Sequence, residues 1–106
     1  VKIPDTDADG QPQRVPHISW NPLYPGGNRT DFAGTALAGL TPGEECYFIH
    51  SYEGKPAEDA DCLAYTVYGG RKICAAAVHG SVLGCQFHPE KSGEVGLKII
   101  GEFLKQ

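Results

Sequence analysis

The sequence predicts a small α/β domain with mixed and antiparallel strands and one C-terminal helix. Residues 46–52, CYFIHSY, form a run of aromatic and β-branched side chains, which is typical of a strand buried on both faces. Residues 62–89 contain three strand-like runs separated by Gly-Gly and His-Gly, and glycine supplies the positive φ that hairpin turns need. Near the C-terminus, apolar residues one, three and four positions apart have the spacing of an amphipathic helix.

The N-terminal part of the chain is less regular. Residues 1–14 are rich in Pro, Asp and Gly and are predicted to form a surface loop. Residues 15–22, VPHISWNP, have the apolar residues of an extended strand, but their prolines restrict that strand to a sheet edge. Residues 25–45 carry turn signals at both ends, and Leu37 and Leu40 allow one short helical turn between them.

Most of the chain after residue 14 is predicted to form strands, followed by one helix. Strands are expected within residues 15–90, and those after residue 61 read as a β-meander. The helix is predicted over residues 92–105, with Ser92 as its N-cap. Its apolar stripe consists of Val95, Ile99, Ile100, Phe103 and Leu104. No internal repeat or linker interrupts residues 1–106, so a single domain is expected.

Composition excludes several classes of partner. The formal net charge is −4, whereas nucleic acids and anionic membranes attract clustered Lys and Arg. No apolar run approaches the roughly 18 residues that a membrane helix requires, and the first ten residues lack the layout of a signal peptide. These features predict a cytoplasmic protein that binds neither nucleic acid nor membrane.

The four cysteines are Cys46, Cys62, Cys74 and Cys85. They lie among apolar, strand-like neighbours and form no C-x-x-C pair, so buried free thiols are favoured over disulfides. The cysteines and histidines share no ligand-like spacing, and no metal site is expected.

The stretch GCQFHPEKSG, residues 84–93, concentrates ionisable side chains at the end of a predicted strand. Strand alternation places His88 on the face opposite Cys85. Pro89 keeps His88 extended and marks the end of the strand, so His88 and Glu90 can project from the same rim. A carboxylate there can accept the Nδ1 proton of the imidazole and leave Nε2 free as a base. On spacing alone, a structural histidine at a strand end is the commoner explanation.

The same stretch, followed by an amphipathic helix, resembles the end of class I glutamine amidotransferases, in which a G-x-Q-F-H-P-E motif provides the catalytic histidine and glutamate. VPHISWN at residues 15–21, GNR at 27–29, YFIHSY at 47–52 and QFHPEKSGEVGLKII at 86–100 are similar to the glutaminase subunit of imidazole glycerol phosphate synthase. The resemblance spans residues 15–104. It implies the C-terminal half of a class I amidotransferase (flavodoxin-like) fold.

The resemblance also implies roles for individual residues. His88 resembles the general base and acid that activates a cysteine thiolate, and Glu90 resembles its orienting partner; the thiolate attacks the amide of L-glutamine and forms a thioester that water hydrolyses. Ser51 and Tyr52 resemble the substrate-binding segment. No cofactor is implied. The surface that faces a cyclase subunit, a (β/α)8 barrel receiving the ammonia, is implied for His17, Trp20, Asn21 and Lys91.

The sequence departs from this family at the nucleophile. Family members carry the nucleophilic cysteine in a G-x-C-x-G elbow, and none of the four cysteines has that context. Cys85 follows one glycine but faces away from His88 by strand parity. The oxyanion-hole loop is not found, the chain begins at Val1, and Ile18-Ser19 stand where the family usually has Met-Gly. We therefore expect roughly the C-terminal half of a family chain, inactive by itself as a glutaminase.

Three functions follow from these observations. The first is glutamine hydrolysis that supplies ammonia to a cyclase making imidazole glycerol phosphate in histidine biosynthesis. The second is a non-catalytic fragment or binding module that keeps the partner surface but lacks the nucleophile. The third is a paralogue that delivers ammonia to the amidation of sugars.

Overall fold

The computed structural model describes residues 1–80 and 82–105, so Ser81, next to the predicted His-Gly turn, and Gln106 lie outside the described residues. The elements in chain order are β1 (His17–Pro22), β2 (Tyr24–Pro25), β3 (Glu45–His50), a 3-10 turn (Asp59–Asp61), β4 (Cys62–Tyr68), β5 (Arg71–His79), β6 (Val82–Cys85), a second 3-10 turn (Pro89–Lys91) and α1 (Gly93–Leu104). The strands form two antiparallel sheets, of order β1-β3 and β2-β4-β5-β6. The predicted combination of such strands with one C-terminal helix is confirmed.

The hairpin between β4 and β5 follows from its two glycines. Tyr68 pairs with Arg71 across the turn, and Gly69 and Gly70 have φ of 60° and 76°. A two-residue loop with positive φ at both positions matches the right-handed twist of its strands. This confirms the Gly-Gly turn, which sets the register from Tyr65 to Tyr68; between Cys62 and Tyr65 the register of β4 against β5 shifts.

The core lies between the two sheets, the segment of residues 26–44 and one side of α1. That segment forms separate hydrogen-bonded turns instead of the helical turn expected near Leu37 and Leu40, although both leucines are buried. The N-terminal loop has isolated bridges but no regular strand, and it buries Ile3. The main buried cluster consists of Leu23, Phe32, Leu37, Leu40, Cys46, Phe48, Leu63, Ala64, Ala75, Ala76, Phe87 and Ile99.

The prediction that residues 46–52 are buried on both faces is wrong. Within β3 only alternate residues are buried, because β3 pairs with β1 alone and one face of this two-stranded sheet has no layer over it within the described residues. Ile18 and Trp20 of β1 and Ile49 of β3 are 39%, 48% and 40% exposed on that side. The apolar run in the sequence therefore corresponds to an open apolar face as well as to core.

The apolar stripe predicted for α1 is only partly buried. Ile99 is buried and Val95 packs against the core, whereas Phe103 and Leu104 are 43% and 76% exposed. The helix packs mainly against β3 and the Pro89–Lys91 turn, a surface too small to cover the whole stripe. Among the described residues, no helix is both long and apolar enough to cross a membrane.

Candidate active site

The backbone of His88 is fixed from two directions. β6 ends at Cys85, earlier than the sequence predicts, because the chain leaves β5 after Gln86 and crosses to β3. There the His88 N–H donates a hydrogen bond to the Tyr47 carbonyl at 3.0 Å. The His88 carbonyl accepts a hydrogen bond from Ser92 Oγ at 2.6 Å. The side chain of His88 is therefore presented from an anchored stretch of backbone.

Ser92 stands at the N-cap position of α1, but its hydroxyl does not cap the helix. It donates to the His88 carbonyl and accepts from the Tyr47 N–H at 3.0 Å. The residue is 1% exposed, so both bonds are shielded from water. The predicted capping role is wrong because these two partners, brought close by β3, take up the hydroxyl.

His88 and Glu90 form the hydrogen-bonded pair that their spacing in the sequence allows. His88 Nδ1 lies 2.8 Å from Glu90 Oε1, and the two side chains are 38% and 61% exposed. Two hydrogen bonds lower the pKa of the Glu90 carboxyl: first that from its own backbone N–H, and second that from His88. A charged carboxylate only accepts hydrogen bonds, so Nδ1 carries the proton. Nε2 has no hydrogen-bond partner among the described residues, and it is available as a base.

The thiols nearest this pair are poor nucleophiles. Burial raises the pKa of Cys85 to about 11 and that of Cys46 to about 12, so both remain protonated at neutral pH. The thiol of Cys62 differs, because a hydrogen bond from Cys74 lowers its pKa. Cys62 and Cys74 line a cavity of about 310 Å³ to which His88 does not contribute. None of the four thiols is thus both reactive and close to the imidazole.

The predicted substrate-binding residues lie next to the histidine segment. Ser51 is half-buried, and its carbonyl accepts a hydrogen bond from the Ile3 N–H at 2.8 Å. Tyr52 is 64% exposed. Two residues later, the Gly54 N–H donates to Gln86 Oε1 at 3.2 Å. The structure therefore joins residues 51–54 to the same strand end that carries His88.

The four residues predicted to face a partner have different positions. Trp20 packs edge-on against Tyr47 with ring centroids 5.8 Å apart, and Lys91 is exposed beside Glu90. Asn21 is half-buried and bonds to Val67 O and to His17. His17 is fully buried, so its side chain is not part of the surface predicted to face a partner.

Most of the chain matches a known protein family. The family model described as glutamine amidotransferase class-I matches residues 11–106. The chain belongs to the class I glutamine amidotransferase family. It is 42% identical over 105 residues to the imidazole glycerol phosphate synthase subunit HisH 1 of Legionella pneumophila (strain Lens), covering 99% of this chain and 49% of that protein.

Two further relatives of this amidotransferase chain carry similar names. The imidazole glycerol phosphate synthase subunit HisH of Syntrophotalea carbinolica is 42% identical over 106 residues, with 97% of this chain and 48% of the relative covered. The HisH subunit of Lactococcus lactis subsp. lactis is 40% identical over 94 residues, which is 89% of this chain and 44% of the relative. The chain spans about half the length of the curated relatives it matches.

Sequence reasoning missed three residues that hold the segments of the candidate site in place. Gln86 binds the Gly54 N–H, Tyr47 supplies both backbone groups that hold His88 and Ser92, and His50 contacts the Tyr52 carbonyl. The parity of Gln86, on the same face as His88, was the available signal for the first. The other two depend on pairing between distant segments. Among the described residues, no three His, Cys, Asp or Glu side chains cluster so as to hold a metal ion.

Proposed function

We propose that this chain provides the general base of a glutaminase that releases ammonia from L-glutamine. The observation that carries the proposal is the hydrogen bond of 2.8 Å between His88 Nδ1 and Glu90 Oε1, formed where both backbone groups of His88 are anchored. Glu90 fixes the tautomer, and Nε2, which has no hydrogen-bond partner among the described residues, accepts the proton of a cysteine thiol.

In the proposed reaction the thiolate attacks the side-chain amide carbon of glutamine and forms a C–S bond. His88, now protonated, gives its proton to the leaving nitrogen, which departs as ammonia. Water then attacks the thioester, transferring a proton to His88, and glutamate and the thiol are released. Ser51 and Tyr52 bind the amino-acid end of the substrate in this scheme, because the Gly54–Gln86 bond holds their segment beside His88.

The sulfur nucleophile of this scheme is not one of the four cysteines of the sequence. Cys46 and Cys85 have raised pKa values, because burial disfavours their thiolates. Cys62 and Cys74 line the separate cavity. The 106 residues by themselves should therefore hydrolyse no glutamine, since the base has no thiol to activate.

The acceptor in the proposal is a cyclase subunit built as a (β/α)8 barrel, which uses the ammonia to make imidazole glycerol phosphate in histidine biosynthesis. Two findings support it. The relatives named above are subunits of imidazole glycerol phosphate synthase. The face formed by Ile18, Trp20, Tyr47 and Ile49 is apolar and partly exposed, as expected of a surface that a partner covers.

A second candidate is binding to the barrel without catalysis. The same apolar face favours it, because this face does not require the nucleophile. The two candidates differ in a single result. A non-catalytic module binds the cyclase equally well with or without His88 and contributes nothing to ammonia release.

The test uses a chimera in which this chain replaces the aligned part of the Legionella relative. We expect the chimera to release ammonia from glutamine in the presence of a barrel cyclase and His88→Ala to abolish that release. His79→Ala is the matched control, because His79 also contacts a carboxylate, Asp61, but is 88% exposed on the meander. Undiminished activity of His88→Ala, or equal losses in both variants, would refute the proposal.

A further inference from the structure

A second pair of histidines lies beneath the proposed partner surface. His17 of β1 and His50 of β3 face each other across the two-stranded sheet, and His17 Nδ1 lies 2.8 Å from His50 Nε2. They are 0% and 9% exposed. The ring of His17 is stacked between Phe48 and Tyr68, with centroids 5.1 Å and 4.0 Å away. The His17 ring therefore cannot turn freely to change its partners.

Both outer nitrogens of this pair face hydrogen-bond acceptors. His50 Nδ1 lies 2.9 Å from the Tyr52 carbonyl, which has no proton to give. His17 Nε2 lies 2.8 Å from Asn21 Oδ1. The amide of Asn21 is oriented by its other end, because Nδ2 donates to the Val67 carbonyl at 3.2 Å. Each outer nitrogen must therefore carry a proton to make its bond.

These hydrogen bonds constrain the number of protons on the two rings. Two neutral imidazoles carry one proton each, and here both protons are required at the outer nitrogens. The two inner nitrogens would then face each other as bare lone pairs at 2.8 Å. A hydrogen bond between them needs a third proton, which gives the pair one positive charge.

We infer that His17 and His50 are a positioning pair whose observed hydrogen bonds are complete only with three protons, and that loss of the third proton frees the Asn21 side chain while the Tyr52 carbonyl stays bound. Asn21 is the end that opens because Ser19 Oγ lies 3.1 Å from His17 Nε2. That hydroxyl, which otherwise donates to Asn21 Oδ1, can rotate and donate to a bare Nε2. Within residues 1–80 and 82–105, no hydroxyl lies within hydrogen-bond distance of His50 Nδ1.

This inference rests on the proposed function for its meaning: the pair joins Asn21, next to the partner-facing Trp20, to Tyr52 in the proposed substrate-binding segment. A partner that draws Asn21 away from His17 would favour the two-proton state. Partner contact at Asn21 would thereby change the protonation of the pair, whose other end holds the proposed substrate-binding segment at Tyr52.

Some neighbouring groups raise the pKa of the histidine pair and others lower it. Burial lowers the pKa of both rings, and the bond to Asn21 raises that of His17. For His50 the Tyr52 carbonyl and the Glu53 carboxylate raise the pKa, whereas His88 lowers it. Among the residues that the structure describes, Tyr68 of β4 is a further titratable group against the pair, and its hydroxyl donates to the Arg14 carbonyl. Since burial is the largest effect on both rings, the third proton should leave as the pH rises, below the ordinary histidine pKa of 6.5.

The test is a pH titration of the ¹⁵N-labelled full chain, followed by the ring nitrogens of both histidines and the side-chain amide of Asn21. We expect three protonated ring nitrogens at the acidic end. As the pH rises, the proton of His17 Nε2 should be lost, the Asn21 amide should shift with the same midpoint, and His50 Nδ1 should stay protonated. A state with both outer nitrogens protonated and both inner ones bare, or one with His50 Nδ1 bare, would overturn the inference.

Ser19→Ala provides the second measurement. Without the hydroxyl, the bare Nε2 of His17 has no substitute donor, whereas Asn21 Oδ1 keeps its bond to His17 in the three-proton state. Ser19→Ala removes one hydrogen bond from each state, but in the two-proton state it also leaves Nε2 unpaired, which costs more than the loss of one of the two bonds to Oδ1. The midpoint should therefore rise by about half to one pH unit. The exposed His79 is the internal reference, and its ring signals should be the same in both proteins at each pH. An unchanged or lowered midpoint would contradict the assignment of Asn21 as the end that opens. Neither measurement involves glutamine hydrolysis, so failure here leaves the glutaminase proposal standing.

Discussion

Gly96 allows α1 to approach the turn that carries Glu90, and replacing it by alanine should destabilise the protein. A Cβ at this position would lie 1.8 Å from the Pro89 carbonyl oxygen and 2.8 Å from its carbon. That oxygen accepts the Ser92 N–H at 3.1 Å, so it cannot withdraw without opening the turn. Alanine in a helix gains about 1 kcal/mol over glycine, while overpacking against fixed atoms costs about 1–3 kcal/mol. Because the clash is with backbone, we expect a net loss of about 1–2 kcal/mol.

Gly101→Ala is the matched control. Gly101 lies in the same helix, and a Cβ there would meet nothing within 4 Å, so this change should stabilise by up to about 1 kcal/mol. Urea denaturation followed by far-ultraviolet circular dichroism should separate the two variants by about 1–3 kcal/mol. If Gly96→Ala is as stable as Gly101→Ala, the close approach of α1 to Pro89 does not exist.

Three further predictions concern the same region. Glu90→Gln should lower glutamine turnover of the chimera by a factor of about 10²–10⁴, because an amide no longer fixes the His88 tautomer. The pKa of Glu90 lies below its usual 4.5. The His88–Glu90 bond should therefore be intact at pH 4.5 and above, and should be lost only when the pH falls through the lowered pKa of Glu90. Ser92→Ala should cost about 1–3 kcal/mol in urea denaturation, since it leaves the buried Tyr47 N–H unpaired. Trp20→Ala should weaken binding to a barrel cyclase by about 2 kcal/mol in calorimetry while leaving the fold unchanged.

Each of these has a defined contrary outcome. Turnover of Glu90→Gln equal to that of the parent chimera would remove Glu90 from the site. A change below about 0.5 kcal/mol for Ser92→Ala would mean that its two bonds contribute no more than an ordinary surface contact. For Trp20, the control is Leu97→Ala, 70% exposed on α1; equal losses in both variants would place the partner elsewhere.

The sequence predicts well those features of this protein that depend on neighbouring residues. The Gly69–Gly70 hairpin depends on a positive φ that two adjacent residues determine. The pairing of His88 with Glu90 depends on a spacing of two residues and on Pro89 between them. In both cases the deciding atoms are neighbours in the chain, so the residue types suffice.

What the sequence does not predict depends on contacts between distant segments. Ser92 has the residue type of an N-cap, but β3 lies close enough to take its hydroxyl. The apolar residues of β3 show a preference for burial, yet whether Ile49 is covered depends on the layer above it. His17 and His50 are 33 residues apart, and only the β1–β3 register brings their rings together.

The tautomer of His88 tests the central claim most directly. If Glu90 orients the imidazole as a base, ¹⁵N spectra of its neutral form should show the proton on Nδ1 and a bare Nε2, and Glu90→Gln should disturb this preference. A neutral ring that carries its proton mainly on Nε2 would contradict the account, because His88 could not then accept a proton from a thiol.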